Sequence, residues 1–337
     1  MSSALNNSLK NIVLTHKIYC QMKIVVTDGY ALNPGDLDWK SIEALGELTV
    51  YERTPAELVA ERCTDAGIIL TNKTPITKAV IDSLPNLKLI SVLATGYNIV
   101  DTTAAKEKGV TVCNAPGYST ASVAQHAIAL LLELTNSVGL HATSVAAGDW
   151  VTSKDWSYSK APLIELAGKT LGLVGFGSIG KQTALIGEAL GMNILYHTPN
   201  KKTETGNARY ATMEELFAQS DAISLHCPAT PSNAKFVNAT LLALMKPTAF
   251  IINTSRGQLI DEVALANALN NNVIAGTGLD VLSTEPPAAN NPLLTAKNCV
   301  ITPHIAWGSK EARLRVLAIN ANNIKAFVDG KPVNVVG

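Results

Sequence analysis

Three side chains that lie far apart in the sequence have the types needed for acid–base chemistry on a small anionic molecule. Arg256, Glu285 and His304 occur in the motifs NTSRG, STEPP and TPHIAW. An arginine fork can bind a carboxylate or a polarised carbonyl through two hydrogen bonds. A histidine exchanges a proton near neutral pH, and a carboxylate on its second ring nitrogen fixes its tautomer. Each residue alone has an ordinary structural explanation, but the three together predict an acid–base site.

A glycine motif elsewhere in the chain is typical of dinucleotide binding. Gly175, Gly177 and Gly180 in LGLVGFGSIG have the spacing G-x-G-x-x-G. The first glycine permits a tight turn, the second a close approach of backbone to pyrophosphate, and the third close packing of helix on strand. An apolar strand precedes the motif, and a helix is predicted at 181–190, so its N-terminus faces the phosphates. We therefore predict a bound dinucleotide, with a ligand-free glycine turn as the alternative.

The elements around this motif predict a doubly wound parallel sheet. Apolar strands alternate with helices from residue 171 to about residue 303. Strands are predicted at 171–175, 192–196, 222–226, 249–254, 273–280 and 299–302, and helices at 181–190, 212–219, 238–245 and 261–270. Ligands bind at the carboxyl ends of the strands in such sheets. The three candidate residues all follow strand ends, which is why we expect them at one edge.

The first hundred residues predict a second, smaller α/β unit without a glycine loop after its first strand. Its predicted strands lie at 23–27, 48–51, 67–71, 87–93 and 110–114, with a helix at 76–83. A long helix at 119–138 joins the two units, and a helix at 309–328 folds back onto the first. The predicted domains are therefore 22–117 with 305–337, a discontinuous substrate domain, and 118–304, a dinucleotide-binding domain. Residues 1–21 are predicted to be an N-terminal extension.

Composition excludes several other classes of function. The 337 residues include 27 basic and 27 acidic side chains, and the net charge of zero argues against a nucleic-acid or anionic-membrane surface. The five cysteines are scattered and the histidines lack metal-ligand spacing, so neither a disulfide framework nor a metal site is predicted. No signal peptide or membrane span is predicted. Trp150, Trp156 and Tyr158 occupy an irregular polar stretch, typical of either an interface or ordinary loop packing.

Five sequence blocks together resemble one enzyme family. GLVGFGSIG, LHCPATP, INTSRGQLID, GLDVLSTEPP and ITPHIAW have the order and spacing of the D-isomer-specific 2-hydroxyacid dehydrogenases, over residues 22–337. LATGYN, APGYST and TPHIAW most resemble the glycerate dehydrogenases (hydroxypyruvate reductases) of that family. The resemblance implies a Rossmann coenzyme domain and a smaller flavodoxin-like α/β substrate domain. It also implies a homodimer that transfers hydride between NAD or NADP and a small D-2-hydroxy acid, glycerate/hydroxypyruvate or glyoxylate. The scattered cysteines predict a reducing, cytoplasmic setting.

The same resemblance assigns roles to individual residues. His304 is implied as the proton donor in reduction, Glu285 as the group that orients it, and Arg256 as the ligand of the substrate carboxylate. Backbone amides at Thr95, Gly96 and Tyr97 are implied to hold that carboxylate as well. The implied cofactor contacts are Gly175, Gly177, Ser178, Ile179, Gly180, His197, Thr198, Cys227, Pro228, Thr254, Ser255, Arg256, Asp280 and His304. Among these, Asp280 is expected to face the nicotinamide carboxamide.

One departure from the family pattern concerns the choice between NAD and NADP. Many relatives have an aspartate after the second strand, where it binds the ribose 2′-hydroxyl of NAD. This chain has HTPNKK there, and no acidic residue precedes Glu204. A 2′-phosphate would meet no repulsion, and His197, Lys201 or Lys202 could bind it, unless the lysines are simply solvated. The sequence leaves both cofactors open.

Alternative functions are distinguished by the retained residues. A non-catalytic dinucleotide sensor on the same fold need not keep Arg256, Glu285 and His304 together. A formate dehydrogenase pairs its histidine with glutamine, whereas this chain has Glu285. A nucleotide-fold methyltransferase does not account for the blocks GLDVLSTEPP and ITPHIAW. A hydroxyacid dehydrogenase is therefore the expected function, with the sensor as the alternative.

Overall fold

The computed structural model describes residues 22–200 and 206–337. The chain divides into two compact units, which we call unit 1 and unit 2. Unit 1 comprises the chain up to Tyr118 together with Gly308–Gly337, and unit 2 comprises Ser119–Trp307. The N-terminal extension predicted at 1–21 lies outside the described residues.

Unit 1 contains five parallel strands in the order β2–β1–β3–β4–β5. Its strands are β1 (Lys23–Val26), β2 (Glu47–Val50), β3 (Ile68–Thr71), β4 (Leu89–Val92) and β5 (Thr111–Cys113). Its helices are α1 (Gly29–Leu32), α2 (Lys40–Glu43), α3 (Val59–Arg62), α4 (Lys78–Ser83), α5 (Thr102–Glu107) and α12 (Lys310–Val328), with a 3₁₀ helix at Ala56–Leu58. This strand order is the flavodoxin-like one, as the sequence predicted.

Unit 2 contains seven parallel strands in the order β12–β11–β10–β9–β6–β7–β8. The strands are β6 (Thr170–Val174), β7 (Asn193–His197), β8 (Arg209–Tyr210), β9 (Ala222–Leu225), β10 (Phe250–Asn253), β11 (Gly276–Leu279) and β12 (Cys299–Ile301). The helices are α6 (Thr120–Asn136), α7 (Val138–Ala146), α8 (Ser178–Ala189), α9 (Met213–Gln219), α10 (Ala239–Leu242) and α11 (Glu262–Asn270). Short 3₁₀ helices lie at Pro231–Asn233, Gly257–Leu259 and Pro292–Thr295. The order is that of a doubly wound Rossmann sheet, which confirms the predicted fold class.

The central strands β9 and β10 of unit 2 are buried along their whole length because both faces of the sheet are covered. In β9, Ile223 joins one hydrophobic cluster and Ala222 the other. In β10, Ile251 joins the first cluster, whereas Phe250 and Ile252 join the second. Successive side chains point to opposite faces, so each face needs apolar residues of its own. Polar side chains can then gather where the strands end, at their carboxyl ends.

Several predicted boundaries differ from the observed ones. Helix α8 begins at Ser178, three residues before the predicted start, so its first turn includes the end of the glycine motif. The predicted long helix ends at Asn136 because Ser137 has a left-handed conformation, with φ of 48°. Helix α7, which follows directly, and the two-residue strand β8 were not predicted.

No single helix within residues 22–200 and 206–337 has both the length and the apolar composition to cross a membrane. The pair α6 and α7, bent by 59°, meets these criteria by length and composition only.

Candidate active site

The glycine turn after β6 has the shape expected of a dinucleotide-binding loop. Gly175 has φ of +100°, and a Cβ there would lie 2.6 Å from the backbone of His226. A Cβ on Gly180 would lie 2.3 Å from the carbonyl oxygen of Gly175, so helix and strand end pack closely. Nothing lies within 4 Å of a Cβ built on Gly177, which leaves this backbone open to a ligand. Ser178 and the residues after it begin α8, whose first N–H groups have no intrahelical acceptor.

The strand next to the glycine turn ends in side chains that are already hydrogen-bonded. His197 Nδ1 lies 3.0 Å from the carbonyl oxygen of Ala211, so Nδ1 carries the proton and donates. Thr198 is buried, and its hydroxyl donates to the carbonyl oxygen of Asn200 at 2.6 Å. No acidic side chain occurs at this strand end. Lys201 and Lys202, the predicted phosphate ligands, lie outside the described residues.

The ends of β9 and β10 are fastened to each other beside this turn. Ser255 Oγ donates to the carbonyl oxygen of Cys227 at 2.5 Å. Burial raises the pKa of the Cys227 thiol to about 11, so it stays protonated and is not a nucleophile. Pro228, the next residue, is exposed.

Thr254, at the end of β10, has a buried hydroxyl group without a hydrogen-bond partner. It is 8% exposed, and among the described residues its Oγ1 is the only buried side-chain nitrogen or oxygen without a hydrogen-bond partner. Buried polar groups are normally satisfied, so this hydroxyl suits a partner supplied by a ligand. Together with the open backbone at Gly177, it fits the predicted dinucleotide.

Arg256 is presented to solvent by a turn that Asn253 builds. The Asn253 side chain accepts from Ser255 N at 3.0 Å and donates to the Arg256 carbonyl oxygen at 2.9 Å. Arg256 itself is exposed, and its Nη1 donates to the Ser255 carbonyl oxygen at 2.8 Å. The backbone is therefore fixed, and the other guanidinium N–H groups can bind an anion.

Gly257 brings the Arg256 turn against the segment that leads to Glu285. A Cβ on Gly257 would lie 1.9 Å from the carbonyl carbon of Leu282 and 2.3 Å from Ser283 N. Only glycine permits this contact between two backbones. Gln258 Nε2 also donates to the Ser283 carbonyl oxygen at 2.9 Å. The two segments therefore hold a fixed register.

Glu285 and His304 are directly paired. Glu285 Oε2 lies 2.5 Å from His304 Nδ1, and Glu285 Oε1 accepts from Leu282 N at 3.0 Å. The first contact places a proton on Nδ1 and leaves Nε2 to face a reactant. The His304 side chain is 29% exposed, so it is reachable from solvent. This is the orientation that the sequence predicted, although the roles of the two residues stay predictions.

Glu262 supports this pair from α11 and was missed by the sequence reasoning. Its Oε1 accepts from Ser283 N at 2.7 Å, and its Oε2 accepts from Asn291 Nδ2 at 2.9 Å. The sequence motifs gave Glu262 no role beyond its place in the helix predicted at 261–270. Its contacts fix the loop that carries Glu285.

Asp280 is buried and accepts hydrogen bonds from the loop that carries His304. We call residues 302–306 the His304 loop. The Asp280 side chain is 0% exposed and accepts from Thr302 Oγ1 at 2.6 Å, Ile305 N at 2.9 Å and Ala306 N at 2.8 Å. Burial acts to raise the pKa of Asp280, but hydrogen bonds from His126, Thr302 and the loop backbone outweigh it and hold the pKa below its usual range. This carboxylate holds the His304 loop, and the contact with nicotinamide that the resemblance implies stays a prediction.

The residues predicted to bind a carboxylate in unit 1 form a loop with free donors. Within the described residues, the N–H groups of Thr95, Gly96 and Tyr97 donate to no acceptor. The loop is held from behind, because Asn114 Nδ2 donates to the Thr95 carbonyl oxygen at 2.7 Å. Asn323 Nδ2 on α12 in turn donates to the Asn114 carbonyl oxygen at 2.9 Å. The arrangement suits an anion at the loop.

Among residues 22–200 and 206–337, no group of three or more histidine, cysteine, aspartate or glutamate side chains is placed to hold a metal ion. The irregular stretch after α7 exposes large apolar side chains: Trp150 is 53% exposed, and Val151 and Trp156 are each 89% exposed. Trp150 Nε1 donates to the Trp156 carbonyl oxygen at 3.0 Å, which gives the stretch a defined shape.

Comparison with known proteins agrees with the geometry. A family profile described as D-isomer specific 2-hydroxyacid dehydrogenase, NAD binding domain, matches residues 128–306. A hydroxypyruvate reductase of Blautia hydrogenotrophica is 52% identical over 94% of this chain and 99% of its own. A glycerate dehydrogenase of Methylorubrum extorquens is 42% identical over 86% and 92%. The crystal structure of an NADPH-dependent glyoxylate/hydroxypyruvate reductase of Sinorhizobium meliloti, 32% identical, matches with a TM-score of 0.81 over 94% of this chain and 98% of its own.

Proposed function

Because the chain belongs to the D-isomer specific 2-hydroxyacid dehydrogenase family, we propose that it interconverts hydroxypyruvate and D-glycerate and also reduces glyoxylate. The names of the similar relatives support this choice of substrate. The observation that carries the proposal is the 2.5 Å contact between Glu285 and His304, in the unit that also holds the glycine turn. The pair supplies a proton, and the turn supplies a place for NAD or NADP.

Each candidate residue then has one task. When bound, NADH or NADPH supplies the hydride for reduction, and the oxidised form accepts it in the reverse direction. His304 gives the proton on Nε2 to the keto oxygen in reduction and takes it back in oxidation. Glu285 holds the imidazole in that orientation through Nδ1. Arg256 binds the substrate carboxylate with its planar fork and polarises the keto group.

The free N–H groups of Thr95, Gly96 and Tyr97 are proposed as further ligands of the substrate carboxylate. A row of unpaired backbone donors suits an anion, and Asn114 keeps their loop in place. Replacement of Asn114 by alanine is expected to raise KM for hydroxypyruvate several-fold more than it changes KM for the cofactor. Equal changes in both constants would argue against this assignment.

NADPH is proposed as an accepted cofactor beside NADH. Residues 197–200, which end and follow β7, include no acidic side chain that would repel a 2′-phosphate. Initial rates with hydroxypyruvate, glyoxylate and pyruvate, each with NADH and NADPH, test both the substrate and the cofactor. Oxidation of both cofactors with hydroxypyruvate supports the proposal, whereas oxidation of NADH alone would remove NADPH from it. No turnover with any 2-keto acid would favour the non-catalytic sensor.

A homodimer is proposed from the exposed apolar stretch at Trp150, Val151 and Trp156. Large apolar side chains this exposed are typical of an interface, and a second copy is the partner that the family resemblance implies. Sedimentation of W156E is expected to give a monomer. Leu314 on α12 is 47% exposed and provides the control, since L314E is expected to keep the parental mass. A dimeric W156E would remove this stretch from the interface.

A cytoplasmic location is proposed on the chemistry of the cysteines. Cys63, Cys113, Cys227 and Cys299 are free thiols, which persist in a reducing compartment. Fractionation of cells with an antibody to the protein tests this location, and recovery outside the cytoplasmic fraction would contradict it.

A further inference from the structure

The His304 loop is held at both ends by one face of α6. Ser122 Oγ donates to the Ala306 carbonyl oxygen at 2.6 Å, and His126 Nε2 lies 2.9 Å from Thr302 Oγ1. Ser122 and His126 are four residues apart, so they lie one above the other on the helix surface. The helix therefore contacts the loop once before His304 and once after it.

The direction of the hydrogen bonds between α6 and the loop follows from counting protons. The hydroxyl of Thr302 has a single hydrogen, which it donates to Asp280 Oδ1 at 2.6 Å. Thr302 Oγ1 must then accept from His126, so His126 carries a proton on Nε2. His126 Nε2 also lies 3.4 Å from Asp280 Oδ1. His126 therefore donates a hydrogen bond to Thr302, and Thr302 donates one to the buried carboxylate of Asp280.

Asp280 connects these hydrogen bonds to the backbone on the far side of His304. Its Oδ1 accepts from Ile305 N and its Oδ2 from Ala306 N, while its own carbonyl oxygen accepts from His304 N at 2.8 Å. The backbone N–H groups of His304, Ile305 and Ala306 thus all donate to Asp280. The position of that carboxylate is fixed by Thr302 and His126.

The loop needs such support because His304 has an unfavourable backbone conformation. Its φ is 55°, in the left-handed region that residues with a Cβ seldom adopt. That conformation is unfavourable and persists only where surrounding contacts enforce it. If the contacts were lost, the backbone could return to negative φ and turn the imidazole away from Glu285.

We propose that His126 is a positioning residue, which acts through Thr302 and Asp280 to hold the His304 loop in its left-handed turn. His126 need not touch the substrate or the cofactor to do this. The proposal rests on the acid–base role proposed for His304, and it adds a residue that the sequence motifs did not indicate. The half-buried side chain, 22% exposed, suits a supporting role of this kind.

The test compares two substitutions at Thr302 that differ in a single group. T302V removes the hydroxyl but keeps the shape, whereas T302S keeps the hydroxyl. We expect T302V to lower kcat for hydroxypyruvate about 10- to 100-fold, the range for a slightly misplaced catalytic group. T302S should retain most of the turnover, and KM for the cofactor should change less than about twofold in both, because the glycine turn is untouched.

Replacement of His126 or His141 by phenylalanine separates a defect in the position of His304 from a general loss of stability. H126F should reproduce the kcat defect of T302V. H141F removes another half-buried histidine of unit 2, which also makes two hydrogen bonds, to Ser137 O and from Lys160 N. H141F should lower the unfolding temperature without a selective fall in kcat.

A combined variant distinguishes this inference from the proposed function. In an H304A background, T302V should cause no further fall in the residual kcat, because both changes act through one imidazole. Parental kcat in T302V and H126F, or an additive further loss in the double variant, would overturn the positioning role. Parental kcat in H304A itself would instead overturn the proposed function.

Discussion

Replacement of Gly257 by alanine tests whether the register between the Arg256 turn and the Glu285 loop matters for turnover. The added Cβ would lie 1.9 Å from the carbonyl carbon of Leu282 and 2.2 Å from its oxygen. An ordinary contact needs 3.4 Å or more, so the two backbones must separate by roughly 1.5 Å, the difference between these distances. Both atoms are backbone, and no side-chain rotation can relieve the clash.

A shift of this size should affect catalysis more than folding. Misplacement by about 1 Å can lower a rate about 100-fold, so kcat/KM for hydroxypyruvate should fall by that order in G257A. The free energy of unfolding should fall by about 1–3 kcal/mol, as for other overpacked sites. Steady-state rates and urea unfolding measure the two effects.

Gly67 provides a matched control for the glycine-to-alanine change. A Cβ there would meet atoms at 3.9 Å, which is ordinary contact, and the residue lies in unit 1. G67A should keep kcat/KM within about twofold, since no backbone has to move. Parental kcat/KM in G257A would refute the argument that the contact between the two segments positions Arg256 and Glu285.

Two further predictions concern stability. Burial lowers the pKa of His226 from 6.5 to about 4. As the pH falls, the unfolded chain therefore binds a proton before the folded chain does. The contribution of neutral His226 to the free energy of unfolding is complete above pH 6.5 and is lost as the pH falls towards 4. The free energy of unfolding should fall between pH 7 and pH 4.5, and in H226Q this fall should be smaller by on the order of 2–3 kcal/mol. An equal fall in H226Q and the parent would contradict the lowered pKa of His226. Asn323 is 0% exposed and bonds Ser91, Asn114 and Asn334, so N323L should lower the unfolding free energy by about 1–3 kcal/mol and raise KM for hydroxypyruvate. Unchanged urea unfolding in N323L would show that these hydrogen bonds contribute little.

The sheet and much of the candidate site were predictable because their signals are local. Gly175, Gly177 and Gly180 fall within six residues, and their spacing is the one that a dinucleotide-binding turn requires. The strand ends place Arg256, Glu285 and His304 in one unit, since the carboxyl ends of parallel strands share an edge. The pairing of Glu285 with His304 followed from their chemistry once that edge was predicted.

The supporting contacts were not predictable, because they join residues that no local pattern connects. His126 lies in a helix whose apolar residues indicated only burial, and its partner Thr302 is 176 residues away. The family resemblance gave Asp280 a contact with nicotinamide, and no local pattern indicated the hydrogen bonds that it accepts from the His304 loop. The break at Ser137 has neither glycine nor proline to signal it.

The turnover of H304A, measured beside its affinity for NADH and NADPH, tests the central claim most directly. The account predicts that kcat for hydroxypyruvate reduction falls about 100- to 10,000-fold, the usual contribution of a general acid, while cofactor dissociation constants change less than about threefold. Turnover at the parental level would contradict it, because the proton would then come from a group other than the His304 imidazole.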